Sequence, residues 1–391
     1  MLTAGCRFGT MPTTLPAMPT STAPTPLHQA LHQSRIPGLD ALRALAVMLV
    51  LLDHSGLAVI RGVSLFNGGI GVELFFVLSG FLITWMLLAE IERNKQIDFI
   101  GFYRRRAARL LPAFYAYLLL GLAYLSARGM AIPWDAVLSS AFYVINYYQG
   151  LTDAPSHYLS HCWSLAVEEQ FYLLWPLLLV LLSKGGNAQL ARRLALLIGV
   201  VWIYRTTMTL YVQLPDAYLY RALEMRADHL AVGGLLAVLL RLPRWAERLN
   251  LVARMRGLLP LLLILLIASA TGQQDIRYKY TIAYAIEPIA IAALIIAAIA
   301  QATRPTLLGA CLRNRWINRV GEISYGIYLL HPIVIHPCRK LVEKLTGSFS
   351  LGVAVSILVL IALAELSFRH IESPLREKLR GRSRPATTQA A

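Results

Sequence analysis

The chain has 391 residues, and its composition is that of a membrane protein rather than a soluble one. Apolar residues make up 57% of it and charged residues 15%, against about 45–50% and about 25% in soluble globular chains. The formal net charge is +16 and the mean hydropathy is +0.56. These values exclude a nucleic-acid-binding protein, a secreted disulfide scaffold and an intrinsically disordered chain as descriptions of the whole protein.

Ten apolar segments are predicted to cross the bilayer as helices, after a disordered leader at residues 1–34. They lie at 39–60, 68–90, 110–127, 163–183, 194–212, 221–240, 257–271, 280–301, 321–340 and 351–370. Polar side chains interrupt the segment 134–149, which we interpret as an outer loop or an interfacial helix. The sequence therefore predicts an all-α polytopic membrane protein with about ten transmembrane helices over residues 35–375 and a basic cytoplasmic tail at 376–391.

Lys and Arg are distributed unequally between the alternating loops. With a cytoplasmic N-terminus, 27 of the 37 fall on the inner side and 8 on the outer side, which is the bias of inner loops in membrane proteins. Both termini are therefore predicted to be cytoplasmic, and Glu372 and Pro374 are predicted to end the last helix at that surface. Cys162 and Cys338 are predicted at the outer face, where we expect two free thiols rather than a disulfide.

The first predicted span carries two ionisable residues on one face. Arg43 lies near its cytoplasmic end and His54 in its outer third, roughly 16 Å further along the axis. Glu73, in the outer part of the next span, is the carboxylate that we expect to orient the His54 imidazole. The alternative is that Arg43 anchors the helix at the membrane surface and that His54 and Glu73 are structural.

Four arginines within six positions precede the third span, in the segment FYRRRAARLLP. Arg106 and Arg109 are three residues apart on one helix face, a geometry that suits bidentate binding of phosphate groups. Charge runs at membrane edges also anchor helices and contact acidic lipids. The arginine block therefore indicates either a phosphate-bearing ligand or a lipid contact.

Three later spans contain polar side chains that are costly in a bilayer and therefore indicate functional positions. They are Trp163, Ser164 and Glu168 in the fourth span, Arg226 and Asp228 in the sixth, and Ser324, Tyr328 and His331 in the ninth. Tyr328 and His331 share a helix face. The pair Arg226–Asp228 is equally open to a purely structural interpretation as an ion pair.

Together these segments resemble acyltransferase family 3, the integral-membrane O-acyltransferases of bacterial envelope and secondary-metabolite modification. The resemblance runs from about Ile36 to Pro374 and rests on six motifs in one order: R-x10-H at Arg43 and His54, GVELFFVLSGFLI, FYRRRAARLLP, WSLAVEEQFY, RADHLAVGG and SYGIYLLHP. It implies catalytic residues His54, Glu73 and Glu168, an acyl-CoA site at Arg43, Arg106 and Arg109, and acceptor or supporting positions at Trp163, Ser164, Arg226, Asp228, Ser324, Tyr328 and His331.

The resemblance implies transfer of an acyl group, most often acetyl, from cytoplasmic acyl-CoA to a hydroxyl of an envelope or extracellular glycan, in the bacterial inner membrane. The arginines would hold the CoA phosphates, and His54 would remove the proton of the acceptor hydroxyl. Glu73 or Glu168 would fix the tautomer of His54. Acyl-CoA is then a co-substrate, and we expect no permanently bound cofactor, no metal ion and no nucleic-acid partner.

Two departures from the family pattern bear on the acceptor. Glu73 stands where the family often has Asp, and the chain stops about 20 residues after its last predicted helix. We therefore expect a single-domain enzyme without the esterase-like domain of peptidoglycan-type members, acting on lipopolysaccharide, exopolysaccharide or lipo-oligosaccharide. A macrolide or other small molecule is the alternative. Acceptor contacts are expected in the 128–162 loop, at Trp134, Asn146, Tyr147, Tyr148 and His157.

A transporter or flippase is the alternative from a different functional class. Its buried charges would line the path of a solute or a proton. This interpretation accounts for the carboxylates and for the pair Arg226–Asp228. It does not account for a four-arginine cytoplasmic block that accompanies the R-x10-H motif, so the sequence favours an enzyme.

Overall fold

The computed structural model describes residues 26–380 except 34, 58, 61–62, 65–66, 153–157, 256 and 273–274. Within these residues the chain is almost entirely helical, and its strands form one short antiparallel hairpin. Residues 1–25 of the predicted leader, residues 381–391 of the predicted tail and the predicted acceptor contact His157 lie outside the described residues.

Each of the ten predicted spans contains a helix. The elements are α1 Pro26–Leu31, α2 Leu39–Ser55, β1 Val59–Ile60, β2 Val63–Ser64, α3 Gly68–Asn94, α4 Phe99–Ala127, α5 Trp134–Ala141, α6 Ile145–Thr152, α7 Cys162–Leu182, α8 Asn187–Thr207, α9 Asp216–Arg221, α10 Leu223–Leu239, α11 Pro243–Arg254, α12 Leu258–Gly272, α13 Ile276–Tyr278, α14 Tyr284–Ala302, α15 Leu307–Leu312, α16 Arg315–Glu322, α17 Ser324–Thr346, α18 Phe349–Ser367 and α19 Ser373–Arg380. Single π-helical turns extend α8 through Met208–Val212, join α13 to α14 and join α18 to α19.

Six helical stretches in the described part of the chain are long and apolar enough to cross a membrane, which makes this a multi-pass membrane protein. They are Gly68–Asn94, Phe99–Ala127, Cys162–Leu182, Asn187–Val212, Ile276–Ala302 and Phe349–Leu375. Of the other four predicted spans, α2 and α10 have 17 residues each and α12 has 15. Helix α17 has 23 residues but carries charged side chains in its second half. The count of ten spans and the cytoplasmic termini stay predictions.

The outer faces of the long helices are apolar. Leu119 and Leu120 on α4, Leu173 on α7, Leu196 on α8 and Leu358 on α18 are all more than half exposed. So many exposed leucines on neighbouring helices would be unfavourable in water, whereas the hydrocarbon of a bilayer solvates them. The lipid bilayer therefore covers these faces.

Helices α3 and α10 pack with their backbones in direct contact, and two glycines make this possible. A Cβ atom at Gly80 would lie 1.9 Å from the Leu230 carbonyl oxygen, and one at Gly233 would lie 2.0 Å from the Val77 carbonyl oxygen. Small residues allow this kind of close approach between membrane helices. The contact holds the polar side chains of α3 against those of α10.

Both ends of the described chain contain structure that the sequence analysis did not predict. Within the predicted leader, α1 forms, and its Leu27, Ala30 and Leu31 are buried. At the other end, the helix does not stop at Glu372 and Pro374, because a π-helical turn leads directly into α19. Pro374 follows this irregular turn, and its missing N–H leaves the continuous helix one hydrogen bond short there without ending it. Glu372 is 3% exposed and is therefore packed inside the protein, whereas the location of this part of the chain at the cytoplasmic surface stays a prediction.

Candidate functional site

A cavity of about 180 Å³ lies between α2, α3, α4, α7 and α17. It brings together seven of the thirteen predicted site residues, namely Arg43, Arg106, Arg109, Ser164, Glu168, Ser324 and Tyr328. Apolar side chains of α3 complete its wall. We refer to this space as the arginine cavity. Its lining residues are far apart in the sequence, so only the packing of the helices assembles it.

Two of the three cavity arginines form no ion pair in the described part of the chain, although Glu168 and Glu169 lie near enough to Arg106 to interact with it electrostatically. Arg43 pairs with Asp40 at 2.5 Å, whereas no ion pair joins Arg106 or Arg109 to a carboxylate in the described part of the chain. Both are half-buried, and the Arg106 guanidinium lies 4.9 Å from the ring centroid of Tyr172. Unpaired guanidinium groups on a partly desolvated wall favour the binding of an anion.

The carboxylate of Glu168 belongs to the arginine cavity. The Ser79 hydroxyl donates to Glu168 Oε1 at 2.8 Å, and both residues line the same wall as Arg106 and Arg109. The expectation that Glu168 orients His54 is therefore not met in this structure. From its position, Glu168 instead offsets part of the positive charge around the cavity.

Three imidazoles meet edge to face at the end of α2, and we call them the histidine cluster: His54, His161 and His331. Ring centroids are 4.9 Å apart between His54 and His331 and 5.0 Å apart between His331 and His161. His54 is exposed, whereas His161 and His331 are 5% and 1% exposed. Sequence reasoning missed His161, although this residue stands two positions before the WSLAVEEQFY motif.

Backbone carbonyls determine the tautomers of His54 and His331. The Val50 carbonyl lies 2.9 Å from His54 Nδ1, and the Tyr328 carbonyl lies 2.5 Å from His331 Nδ1. A carbonyl oxygen only accepts, so Nδ1 carries a hydrogen in both rings, and in the neutral form of each ring Nε2 carries the lone pair. The carbonyl of Val50, and not Glu73 or Glu168, therefore orients the predicted base.

The hydroxyl groups of Ser164 and Tyr328 stand between the arginine cavity and the histidine cluster. Their oxygens are 2.6 Å apart, and both hydroxyls can donate to the His161 carbonyl, at 3.1 Å from Ser164 and 3.2 Å from Tyr328. The Tyr328 ring also contacts the rings of His161 and His331, with centroids 5.6 Å and 5.4 Å apart. This pair of hydroxyls connects the two halves of the candidate site.

The remaining charged site residues form a separate buried ion-pair cluster. Arg226 Nη1 lies 3.3 Å from Glu73 Oε1, and Arg205 Nη1 lies 2.8 Å from Asp228 Oδ1. His229 bridges the two pairs, at 3.6 Å from Glu73 and 3.0 Å from Asp228. Glu73 is therefore not the partner of His54 in this structure, and the interpretation of Arg226 and Asp228 as an ion pair with each other, which the sequence left open, does not hold. Residues two apart on a helix point to different sides, so Arg226 and Asp228 find partners on different helices.

Trp163 belongs to the surroundings of Arg226. The Arg226 guanidinium carbon lies 4.1 Å from the ring centroid of Tyr284, 5.3 Å from that of Tyr220 and 5.7 Å from that of Trp163. Trp163 is 6% exposed. Cation–π contacts of this kind stabilise a desolvated guanidinium. Trp163 therefore supports the buried ion-pair cluster and does not line the arginine cavity.

The segment 134–149 forms α5 and part of α6, each eight residues long and too short to span a bilayer. Trp134 is exposed, but Asn146 is buried and donates to Gln170 Oε1 at 3.3 Å. Tyr147 donates to Glu224 at 2.8 Å. Burial and this hydrogen bond raise the pKa of Tyr147 above its usual value. Of these predicted acceptor contacts, Trp134 is therefore the most open to a ligand.

The described part of the chain contains neither a disulfide nor a cluster of side chains that could hold a metal ion. Cys162 and Cys338 are free thiols there, the first buried and the second partly exposed. No group of three or more His, Cys, Asp or Glu side chains among the described residues is placed to hold a metal ion.

Comparison with known proteins identifies the family. A family described as an acyltransferase domain, acyltransferase family 3, matches residues 36–365. The peptidoglycan O-acetyltransferase OatA of Listeria monocytogenes is 32% identical over 365 residues, which cover 88% of this chain and 56% of that protein. The O-acetyltransferase OatA of Staphylococcus aureus is 29% identical over 364 residues, which cover 88% and 57%. The chain spans about half the length of these relatives, and no solved structure matches it. Because the match covers most of its length, the chain belongs to acyltransferase family 3.

Proposed function

We propose that the protein is a membrane O-acyltransferase that moves an acyl group, acetyl in the first instance, from cytoplasmic acyl-CoA to a hydroxyl of a cell-envelope glycan. The observation that carries this proposal is the arginine cavity. Among the described residues, Arg106 and Arg109 face it without an ion-pair partner, and it ends at the hydroxyls that contact the histidine cluster. Family membership and the O-acetyltransferase names of the relatives support the type of reaction.

The donor is proposed to enter from the end of α2 that carries Arg43. A second cavity, of about 1,550 Å³, borders the arginine cavity there and shares Arg43, Leu82 and Met86 with it. The Lys and Arg distribution predicts that this end is cytoplasmic. Phosphates bound at Arg106 and Arg109 would leave the extended arm of acyl-CoA directed into the bundle.

The acceptor is proposed to react at the opposite end of α2. His54 is exposed there, so a large glycan can reach it. Its Nε2 lone pair takes the proton of the acceptor hydroxyl while the carbonyl of Val50 holds the ring through Nδ1. An imidazole accepts such a proton readily near neutral pH.

Peptidoglycan is the first acceptor to test, because the Listeria relative is named for it. Lipopolysaccharide, exopolysaccharide and lipo-oligosaccharide remain the acceptors that the sequence analysis favours, and a macrolide is the small-molecule alternative. All of these acceptors offer a hydroxyl group to the same base. A panel of acceptors therefore distinguishes them without any change to the assay.

The transporter alternative rests on buried charges, and the contacts of those charges weaken it. Glu73 pairs with Arg226, and Asp228 pairs with Arg205, all four at 1% exposure or less. Opposite charges held against each other in the protein interior support a structural role. In contrast, the unpaired arginines lie in the arginine cavity, beside hydroxyl groups rather than along a second charged path.

The test is transfer of labelled acetyl groups by the purified full-length protein in liposomes. Radiolabelled acetyl-CoA is supplied on one side, and soluble peptidoglycan fragments, lipopolysaccharide and exopolysaccharide are compared as acceptors. His54→Asn should abolish transfer, because Asn retains a donor near the Val50 carbonyl but lacks Nε2. His336→Asn, on the exposed side of α17, is the matched control and should transfer normally. Normal transfer by His54→Asn removes His54 from the mechanism, and solute movement without acetyl transfer would favour a transporter.

A further inference from the structure

The two hydroxyls between the arginine cavity and the histidine cluster share their two protons between two hydrogen bonds. The Ser164 and Tyr328 oxygens are 2.6 Å apart, a distance that requires a shared hydrogen. The acceptor of the second bond, which both hydroxyls reach, is the carbonyl of His161. If Ser164 donates to that carbonyl, Tyr328 donates the shared hydrogen to Ser164 Oγ, and it can turn this hydrogen toward a ligand without leaving a buried carbonyl unsatisfied.

We propose that Tyr328 donates this hydrogen bond to the carbonyl oxygen of the bound acyl thioester, and so stabilises the negative charge that develops there during transfer. The inference rests on the proposed function and assigns Tyr328 a catalytic role within it. Tyr328 lines the arginine cavity, and its ring contacts His161 and His331. The hydroxyl therefore lies where a donor in the cavity and an acceptor at the histidine cluster meet.

Two other hydroxyls on the cavity wall are already committed. Tyr325 donates to the Leu110 carbonyl at 2.9 Å, and Ser79 donates to Glu168 at 2.8 Å. Redirecting either hydroxyl would leave its acceptor without that bond. Tyr328 differs because Ser164 can replace it at the His161 carbonyl. This difference distinguishes Tyr328 from Tyr325 and Ser79 as a donor to the ligand.

In the proposed acyl transfer, the acceptor oxygen bonds to the carbonyl carbon of the thioester while its proton passes to His54 Nε2. Charge accumulates on the carbonyl oxygen, to which Tyr328 donates a hydrogen bond without losing its own proton. The carbon–sulfur bond then breaks, and the thiolate leaves as part of CoA on the side of the arginine cavity and takes a proton from water. His54 returns its proton to solvent at its exposed face.

The test compares Tyr328→Phe, Ser164→Ala and the double variant with Tyr115→Phe as the matched control, because Tyr115 also donates to a backbone carbonyl, that of Ala141 at 3.0 Å, but does not line the arginine cavity. Acetyl-CoA and soluble peptidoglycan fragments are the substrates, and the dissociation constant for CoA is measured separately. Tyr328→Phe should lower kcat by a factor of about 100 to 1,000, with the KM for acetyl-CoA and the CoA dissociation constant changed less than about threefold. Tyr115→Phe should keep the wild-type kcat.

The double variant separates a shared donor from two independent effects. Without Ser164, Tyr328 must serve the His161 carbonyl itself, so Ser164→Ala should lower kcat about as much as Tyr328→Phe. The double variant should then be no slower than the slower single variant. A wild-type kcat in Tyr328→Phe, multiplied losses in the double variant, or an equal loss in Tyr115→Phe would each overturn the inference. Absence of acetyl transfer by the wild-type protein would refute the proposed function and the inference with it.

Discussion

Replacing Arg226 by Met removes one member of a fully buried ion pair, and we expect a large loss of stability. Arg226 and Glu73 are 0% and 1% exposed, and their nearest charged atoms are 3.3 Å apart. Met keeps an unbranched side chain among the aromatic rings that surround Arg226, so the change is mainly a loss of charge. The Glu73 carboxylate then stays in the protein interior, with His229 as its nearest basic neighbour.

The magnitude follows from the burial of the pair. Removing one partner of a buried ion pair costs about 3–5 kcal/mol, because the other charge is left without compensation in a medium of low dielectric constant. Neutralising both partners avoids that penalty, so Arg226→Met combined with Glu73→Gln should lose less than about 2 kcal/mol. The double variant should therefore be more stable than Arg226→Met alone.

The assay is equilibrium unfolding of the purified protein in mixed micelles by titration with SDS, followed by tryptophan fluorescence. Arg369→Met is the matched control, because Arg369 is 67% exposed and pairs with Glu365 at the surface. An exposed ion pair contributes less than about 1 kcal/mol. Surface effects are about 1 kcal/mol in size. A free energy of unfolding of Arg226→Met within about 1 kcal/mol of that of the control would therefore refute the reasoning. A double variant as unstable as Arg226→Met would also refute it.

Three further predictions test the donor site, the helix packing and the thiols. Arg106→Lys and Arg109→Lys should each weaken CoA binding about tenfold, because Lys lacks the planar guanidinium fork and so loses one charge-assisted hydrogen bond. Calorimetry measures this affinity, and an unchanged affinity in both variants would exclude this donor site. Gly80→Ala should reduce the yield of monodisperse protein on gel filtration, because its Cβ would overlap the carbonyl of Leu230, and a wild-type profile would contradict this packing. Maleimide should modify the partly exposed Cys338 well before the buried Cys162, whereas equal rates would show that the thiols are equally accessible.

Much of the helical framework could be predicted from the sequence. A chain in hydrocarbon must satisfy its backbone polar groups within each helix, so a long apolar run is enough to place one. Each of the ten predicted spans contains a helix, although the span 39–60 ends in strand β1, and the polar 134–149 segment forms short helices. Local composition was insufficient to predict the end of a helix that continues through an irregular turn. The π-helical turn before Pro374 allowed the chain to remain helical beyond Glu372.

The residue types at the candidate site were also visible in the sequence, because ionisable groups are costly in a bilayer and stand out there. Arg106, Arg109 and Tyr328 were selected in this way, and they line one cavity. His161 was missed because it precedes its helix and takes no part in a helical spacing pattern. The family motifs supplied the type of reaction but not the contacts that organise the groups.

The sequence by itself determined the membrane class, the helices, the family and the pool of polar side chains. Only the tertiary structure decided which of these side chains pair. Glu73 was expected beside His54 because the two lie at similar depth, but the glycine contact between α3 and α10 places Glu73 against Arg226. A helix pattern gives the face and the depth of a side chain, whereas its partner depends on how two helices rotate and approach. For the same reason, the structure assigned the orientation of His54 to the carbonyl of Val50 rather than to a carboxylate.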